Sequence, residues 1–237
     1  MSAPSGRHML QQGPALQVTA ADHTLGFAAR FFAQRTAEFR LAAVRAQDYG
    51  AIHQPEIALA GRSNVGKSSL INALLRTHRL ARTSKTPGRT ATLNFYRLAS
   101  RAGPGELSLV DMPGYGFRSR DEWGRFVTEY LASRQELRRV FMLVEAKVGE
   151  LKPTDASFLE LVERHAVPTQ IVLTKTDKLR RADLDAIAAA AVQAAARIAP
   201  TALQPRALCC SAHKRAGLEA LQGEILRVCG IGPPGGA

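Results

Sequence analysis

The stretch that most restricts the fold of this chain is an eight-residue loop between a largely apolar segment and an amphipathic one. It spans Gly61–Ser68, reads GRSNVGKS, and matches the pattern G-x-x-x-x-G-K-S/T. The preceding Glu56–Ala60 is typical of a buried strand, and the following Lys67–Leu75 has helical spacing. Loops of this type enclose phosphate groups, so the sequence predicts a strand–loop–helix unit that binds a nucleotide.

The residue types of this phosphate loop each have a chemical role. Glycines let successive backbone N–H groups turn toward phosphate oxygens, and the helix that follows directs its positive end at them. Lys67 supplies charge to the β- and γ-phosphates, and Ser68 offers its hydroxyl to Mg²⁺. We predict nucleotide contacts along the whole loop: Gly61, Arg62, Ser63, Asn64, Val65, Gly66, Lys67 and Ser68.

Short β-type segments alternate with helical segments along most of the chain, which predicts an α/β fold. The predicted strands are Glu56–Ala60, Thr92–Leu98, Leu107–Val110, Val140–Val144, Gln170–Leu173 and Ala207–Cys210. The predicted helices are Lys67–Leu75, Asp121–Arg134, Thr154–Arg164, Arg181–Ala199 and Gly217–Cys229. We therefore expect a mostly parallel six-stranded sheet with helices on both faces and ligands at the carboxyl ends of the strands.

The ends of the chain differ in composition from its middle. Residues 1–22 are small and polar, and residues 230–237 read GIGPPGGA, so we expect two flexible tails. A single domain, 23–229, is expected between them. Its lead-in, Phe27–Arg45, has apolar residues at helical spacing and predicts a helix or an extended segment.

A second motif, DMPG, follows the apolar segment Leu107–Val110. Asp111 is predicted to hold Mg²⁺ through a water molecule, and the backbone N–H of Gly114 is predicted to contact the γ-phosphate. An Asp and a Gly at this spacing usually mark an ordinary turn, but their place at a strand end behind the phosphate loop favours a nucleotide site. Met112 and Pro113 complete this segment.

Two later segments, Thr174–Asp177 and Cys210–Ala212, predict which base the site selects. The Asp177 carboxylate can accept hydrogen bonds from guanine N1–H and the exocyclic amine, whereas adenine offers no such pair of donors, and Lys175 can lie along the base. A small residue in Cys210–Ala212 lets a backbone N–H reach guanine O6. GTP is therefore favoured over ATP, which disfavours a P-loop ATPase or kinase. The predicted contacts are Thr174, Lys175, Thr176, Asp177, Cys210, Ser211 and Ala212.

The polar segment between the phosphate loop and DMPG is predicted to be the first switch. A GTPase needs a threonine there whose hydroxyl joins the Mg²⁺ shell, and Thr90 is our first choice, with Thr86 second. Pro87 and Gly88 suggest a loop that can order and release. The predicted nucleotide contacts of this segment are Gly88, Arg89, Thr90, Ala91 and Thr92.

Four strings of the sequence together resemble the EngB (YihA/YsxC-like) GTPases, a bacterial branch of the translation-factor-related class. They are GRSNVGKSSLINALL, SKTPGRTATLNFYRL, DMPGYGF and LTKTDKL, and the resemblance runs from about Pro55 to Val228. It implies a cytoplasmic GTPase that acts on the pre-ribosomal large subunit and its rRNA and is tied to cell division and septation. It also implies Mg²⁺ at Ser68 and Thr90. Glu145–Gly149 departs from the family's usual D-x-R-type string.

Tyr115 follows the DMPG glycine, where many GTPases have a Gln that orients the attacking water. A phenol cannot perform that task, so we expect slow intrinsic hydrolysis that a partner accelerates, and we assign no catalytic residue. K⁺ held by Asn64, a switch-loop backbone group or the partner would then position the water. An alternative remains open: a constitutively nucleotide-bound rRNA-binding module in which hydrolysis matters little.

The positive charge of this chain is not spread evenly. The net charge is +12, and no Asp or Glu occurs from Ile57 to Gly105. Besides Lys67, that span holds Arg62, Arg76, Arg79, Arg82, Lys85, Arg89, Arg97 and Arg101. We expect most of them to form a basic face for an RNA backbone, with an ordinary solvated surface as the alternative.

Three further features of the sequence bear on the cellular compartment, the membrane and the oligomeric state. The three cysteines include no CxxC pair, which fits a reducing cytoplasm and disfavours a zinc site. No apolar run approaches the ~20 residues that span a bilayer, so we expect no membrane partner. No dedicated dimerisation segment is evident, so a monomer is expected.

Overall fold

The computed structural model describes residues 20–50, 52–81, 92–100, 105–115, 120–148 and 150–233. The strands within these ranges are β1 Arg35–Ala43, β2 Glu56–Gly61, β3 Leu93–Ser100, β4 Leu107–Asp111, β5 Leu137–Glu145, β6 Thr169–Thr174 and β7 Leu208–Cys209. The α-helices are α1 Ala20–Ala33, α2 Lys67–Leu74, α3 Arg120–Ser133, α4 Pro153–Arg164, α5 Arg181–Ala196 and α6 Leu218–Val228.

All seven strands belong to one sheet, in the order β1-β3-β4-β2-β5-β6-β7. The strands from β4 to β7 in this order pair in parallel, whereas β3 is antiparallel to β4 and β1 to β3. The predicted mostly parallel α/β fold is confirmed. The predicted count of six strands is wrong, because β1 adds an edge strand.

The extra strand comes from the predicted lead-in. Phe27–Arg45 is not one helix or one extended segment, since α1 ends at Ala33 and β1 begins at Arg35. β1 pairs with β3 along its whole length, with a shift of register between Phe39 and Leu41. This pairing satisfies backbone groups that an isolated lead-in would leave to water. α1 packs against α6 and buries Phe31 and Phe32.

The predicted tails fall partly outside the described residues. Residues 1–19 and 234–237 are not described, whereas residues 20–22 already belong to α1. Near the other end, the Ile231 N–H donates to the Leu226 carbonyl at 2.9 Å, and its side chain packs against the core. The described contacts therefore continue past residue 229, the expected end of the domain.

Each face of the sheet carries its own hydrophobic core. Alternate residues of β2 serve the two sides: Ala58 and Ala60 face one core, and Ile57 and Leu59 face the other, all fully buried. Helices α3, α4 and α5 cover the first face, and α1, α2 and α6 cover the second. This arrangement confirms the prediction of helices on both faces.

A buried carboxylate anchors α3 at the end of the sheet away from the phosphate loop. Glu56, the first residue of β2, accepts a hydrogen bond from Tyr130 Oη at 2.6 Å and forms an ion pair with Arg134 at 3.1 Å. Burial raises the pKa of Glu56, which these donors oppose. The anchor fixes α3, which follows the DMPG segment in the chain.

Among the described helices, none combines the length and apolarity needed to cross a bilayer.

Candidate nucleotide-binding site

The phosphate loop closes tightly between β2 and α2. Asn64 and Gly66 have left-handed backbones, with φ of 67° and 104°, and Gly66 caps the start of α2. A Cβ at Gly61 would lie 2.9 Å from Val65 Cγ1 and 3.1 Å from the Leu143 carbonyl oxygen. Only glycine fits that position, which explains the first glycine of the motif.

Lys67 and Asp111 bring the first two motifs into contact. Lys67 Nζ donates a hydrogen bond to Asp111 Oδ1, and both side chains are about nine-tenths buried. Asp111 stands at the end of β4, where the Met112 N–H donates to the Leu59 carbonyl of β2 at 3.0 Å. Ser68 follows Lys67 in the first turn of α2. Carboxylate and hydroxyl oxygens of this kind are the ligands that Mg²⁺ prefers, so the donor set fits that ion.

The DMPG turn lies directly against the phosphate loop. A Cβ at Gly114 would come 3.0 Å from Ser63 Oγ and 3.2 Å from Ser63 N. The Ser63 N–H donates to the Tyr115 carbonyl at 3.4 Å, and Arg62 and Tyr115 form a parallel β-bridge. The second motif is therefore coupled to the first through close contacts, and a side chain at position 114 would force Ser63 to shift.

The Tyr115 side chain points into the core. Its ring is 5% exposed and stacks on Phe158 with centroids 5.3 Å apart, and its hydroxyl donates to Asp155 Oδ1 at 2.9 Å. The second oxygen of Asp155 accepts the Lys152 N–H at 2.9 Å at the start of α4. Burial, with the Asp155 charge, raises the pKa of Tyr115 well above its usual value. The residue in the Gln position is thus a structural anchor.

A cavity of about 260 Å³ lies where the base-selecting segments meet the phosphate loop. The Thr176 N–H donates to the Cys210 carbonyl at 3.3 Å, which joins the two segments. Ser211 Oγ donates to Asp177 Oδ1 at 2.5 Å, and this hydrogen bond lowers the pKa of Asp177. The lining is Gly66, Ser69, Leu70, Thr174, Lys175, Asp177, Lys178, Cys210, Ala212 and His213. The cavity presents an ionised acceptor, as guanine recognition requires.

Lys175 ties the base-selecting segment to the phosphate loop. Its Nζ donates to the Asn64 carbonyl at 2.9 Å and to Glu145 Oε2 at 2.8 Å. Thr174 Oγ1 adds a hydrogen bond to the Val65 carbonyl at 2.8 Å. These contacts hold the lysine stem at one wall of the cavity, where a base can lie along it.

Glu145 is a site residue that the motif search did not assign. It ends β5 and also lies 3.6 Å from Lys178 Nζ, and the hydrogen bond from Lys175 lowers the pKa of Glu145. The sequence marked Glu145–Gly149 only as a departure from the family string. A carboxylate at the end of a central strand, on the same edge as the other motifs, was the available signal.

The last segment forms a tight turn behind the cavity. The Ser211 N–H donates to the Ala216 carbonyl at 2.9 Å, and the Cys210 N–H donates to the Leu173 carbonyl at 2.8 Å. Gly217 has φ of 70°, and a Cβ there would lie 1.9 Å from the Cys209 carbonyl oxygen. The turn therefore requires glycine at this position, which the sequence analysis did not single out.

The structure describes most, not all, of the predicted contact residues. Four predicted segments converge at one edge of the sheet: the phosphate loop, Asp111–Gly114, Thr174–Asp177 and Cys210–Ala212. Thr92 precedes β3, and its hydroxyl donates to Asn94 Oδ1 at 3.2 Å. The remaining first-switch residues lie outside the described residues: Thr86, Gly88, Arg89, Thr90 and Ala91.

The predicted basic face needs one correction. Arg97 does not contribute a free charge, because it pairs with Glu106 at 2.7 Å and with Glu38 at 3.4 Å. Glu106 lies one residue beyond the acid-free span, so the linear window missed it. Arg76 and Arg79 are exposed. Arg82, Lys85, Arg89 and Arg101 fall outside the described residues.

The parallel sheet, phosphate loop, DMPG turn and base cavity define the G domain of a P-loop GTPase. A family model described as a 50S ribosome-binding GTPase matches residues 56–175. The Probable GTP-binding protein EngB of Caulobacter vibrioides is 43% identical over 207 residues, covering 85% of this chain and 87% of the relative. That of Gluconobacter oxydans is 41% identical over 220 residues, covering 91% of each. The chain belongs to the EngB family of GTP-binding proteins.

Solved structures bear out the fold at lower identity. A crystal structure of a probable GTP-binding protein EngB matches 73% of this chain and 98% of its own, with a TM-score of 0.54 and 22% identity. Aquifex aeolicus Era bound to GDP·AlF₄⁻ matches 76% of this chain and 57% of its own, with a TM-score of 0.55 and 19% identity. These likenesses establish the G-domain architecture.

Proposed function

We propose that this protein binds GTP with Mg²⁺, hydrolyses it to GDP and phosphate, and acts in the cytoplasm as a switch in assembly of the large ribosomal subunit, with a link to cell division and septation. The observation that carries the proposal is the close packing of Gly114 on Ser63. A Cβ added at Gly114 would lie only 3.0 Å from Ser63 Oγ and 3.2 Å from Ser63 N. A turn packed this closely on the phosphate loop is placed to respond to the γ-phosphate.

The charged residues of the site have separate tasks in this proposal. Lys67 neutralises the β- and γ-phosphates, and the backbone N–H groups of the loop orient them. Ser68 and Thr90 would hold Mg²⁺, with Asp111 acting through water, and the ion would offset charge on the phosphate oxygens. Positioning and charge neutralisation are most of what phosphoryl transfer needs from a protein.

The buried phenol of Tyr115 supports slow intrinsic hydrolysis. Its hydroxyl already donates to Asp155 Oδ1 at 2.9 Å, so it is not available to orient a water molecule. The orienting group must come from elsewhere: a switch-loop backbone group, K⁺ near the exposed Asn64, or the ribosomal partner. Turnover then depends on the partner's arrival, which suits an assembly switch.

The ribosomal partner is supported by charge and by family. A net charge of +12 favours a polyanion, and the matching family model is described as a 50S ribosome-binding GTPase. The same buried Tyr115 favours the second candidate, an rRNA-binding module that holds its nucleotide without functional turnover. The two differ in whether subunit affinity depends on the nucleotide.

Co-sedimentation with purified large ribosomal subunits separates these candidates. We expect binding at least about tenfold tighter with a non-hydrolysable GTP analogue than with GDP, because a switch needs differential affinity. We also expect subunits to raise the GTP hydrolysis rate, and chelation of Mg²⁺ to abolish it. Equal affinity in both nucleotide states, with no rate increase, would establish the constitutive module instead.

A further inference from the structure

A second, larger concavity adjoins the base cavity on the side of α2. This α2 groove has a volume of about 820 Å³ and runs between the segment after α2 and the turn after Ser211. Its rim carries Arg76, His78 and Arg79 on one side and Arg215 on the other, all exposed. No carboxylate from the described residues lines it, and its arginines form no ion pair with that part of the chain.

Two of these arginines have backbone conformations that favour glycine. Arg76 has φ of 54° and Arg215 has φ of 55°. Arg76 follows the C-cap of α2, where the Thr77 N–H donates to the Asn72 carbonyl at 2.9 Å and closes the helix. Glycine is the usual residue there, and another residue costs on the order of 1 kcal/mol. Within the described part of the chain, neither arginine gains an ion pair that would offset this cost.

The rim of the groove is fixed before any ligand arrives. Asn72 Nδ2 donates to the Ala81 carbonyl at 2.8 Å, and its Oδ1 accepts the Ala81 N–H at 2.9 Å and the Thr77 hydroxyl at 3.1 Å. One side chain thus ties both ends of segment 77–81 to α2. His78 and Arg79 lie within this segment, so binding needs little further ordering of the backbone.

The groove shares a wall with the base cavity. Ser69 and Ala212 line both. The turn that carries Arg215 begins at Ser211, whose hydroxyl donates to Asp177 in the base cavity at 2.5 Å. A ligand in the groove and a base in the cavity therefore both lie against the same short turn.

We infer that the α2 groove binds the sugar–phosphate backbone of an RNA, an inference that rests on the proposed ribosomal function and names its contact surface. Guanidinium groups bind phosphates with paired hydrogen bonds, and a run of them suits a repeating phosphate chain. A protein ligand would need an apolar or aromatic anchor site. The apolar lining consists of alanines only, Ala73, Ala81 and Ala212, so charge dominates the surface.

The double variant Arg76→Gly/Arg215→Gly tests this inference without threatening the fold. Glycine removes both charges and also accommodates both left-handed backbones, so the melting temperature should stay the same or rise. The matched control is Arg181→Gln/Arg197→Gln. These exposed residues stand at the two ends of α5 on the other face of the sheet, and their loss lowers the net charge equally.

Fluorescence anisotropy with a fluorescein-labelled RNA hairpin, over a series of salt concentrations, is the measurement. We expect the groove variant to bind at least about tenfold more weakly, with a log–log salt slope smaller by about 2, one for each lost phosphate contact. The control should stay within about twofold of the wild type. Equal weakening of both variants, or none, would overturn the inference.

Sedimentation with large subunits and a GTP analogue keeps the two proposals distinguishable. A wild-type protein with no preference for the GTP state would sink the proposed switch function, whatever the variants do. If the wild type prefers the GTP state and the groove variant sediments as well as the wild type, the groove inference alone would be overturned. A variant that loses subunit binding but keeps its RNA affinity would replace the RNA ligand with a protein.

Discussion

Tyr115 and Asp155 are joined by a buried hydrogen bond of 2.9 Å that links the end of the DMPG segment to the start of α4. The bond holds the phenol in the buried core, while the Tyr115 carbonyl accepts the Ser63 N–H. One residue thus connects the phosphate loop on its backbone side and the core on its side-chain side. The position that many GTPases use for catalysis serves here for support.

Tyr115→Phe separates these two roles. The change leaves Asp155 Oδ1 without its donor in a buried place, so the free energy of unfolding should fall by about 1–3 kcal/mol. The single-turnover rate of GTP hydrolysis should stay within about twofold, because the hydroxyl takes no part in the chemistry. Urea denaturation and a quenched-flow assay measure the two effects. A tenfold loss of rate with intact GTP binding would make the phenol catalytic.

Gly114→Ala tests the contact between the DMPG turn and the phosphate loop. The new Cβ would meet Ser63 Oγ at 3.0 Å and Ser63 N at 3.2 Å, so the turn must shift. We expect GTP affinity to fall more than GDP affinity, by about tenfold, because the N–H of residue 114 is assigned to the γ-phosphate. The control is Gly124→Ala in α3, where a Cβ meets nothing within 4 Å. Nucleotide titrations that show equal losses for GTP and GDP would contradict the assignment.

Glu145→Gln tests the support of Lys175. The carboxylate holds Lys175 Nζ at 2.8 Å, and its loss should raise the dissociation rate of GDP by about three- to tenfold. Glu150→Gln is the matched control, since the Glu150 side chain is 83% exposed and its ion pair within the described residues, with Lys152, is 3.9 Å long. Stopped-flow release of a fluorescent GDP analogue gives both rates. Equal rates in the two variants would mean that Glu145 does not position the lysine.

Ser211→Ala tests the hydrogen bond to Asp177. Without the Ser211 hydroxyl, the pKa of Asp177 rises toward its ordinary value and the carboxylate loses its fixed orientation. The lowered pKa keeps Asp177 of the wild type ionised to lower pH. As the pH is lowered, GTP binding by the variant should therefore begin to weaken at a higher pH than GTP binding by the wild type. At neutral pH we expect about a tenfold loss of affinity for GTP. Ser133→Ala, in an exposed helical position, should change nothing.

The motif strings predicted which segments lie at one edge of the sheet, because each motif is local and lies at a strand end. To place β2 and its loop, Asp111 at the end of β4, and Thr174 at the end of β6 together needed only the alternation of strands and helices. The strand order then brings them to one edge, since β4, β2, β5 and β6 are neighbours. Local pattern and global topology agree here, which is why the α/β prediction held.

The parts that the sequence did not predict depend on distant partners. β1 is a strand because it pairs with β3, whose residues lie 50 to 65 positions away from their partners in β1. The alternation of β1 itself is interrupted at Arg40. The partner of Tyr115 is forty residues further along the chain. Arg97 counted as a free charge only because Glu106 lies just outside the window. Periodicity and composition report nothing about such pairings.

We propose that the Asp177 and Ser211 segments make this phosphate-loop site specific for guanine. Titration of a fluorescent GDP analogue, with Mg²⁺ present and absent, followed by competition with GTP, GDP and ATP, tests it most directly. We predict that GTP and GDP displace the analogue, that ATP does not, and that Asp177→Asn weakens GTP binding by at least about thirtyfold. Displacement by ATP, or intact GTP binding in Asp177→Asn, would contradict the account.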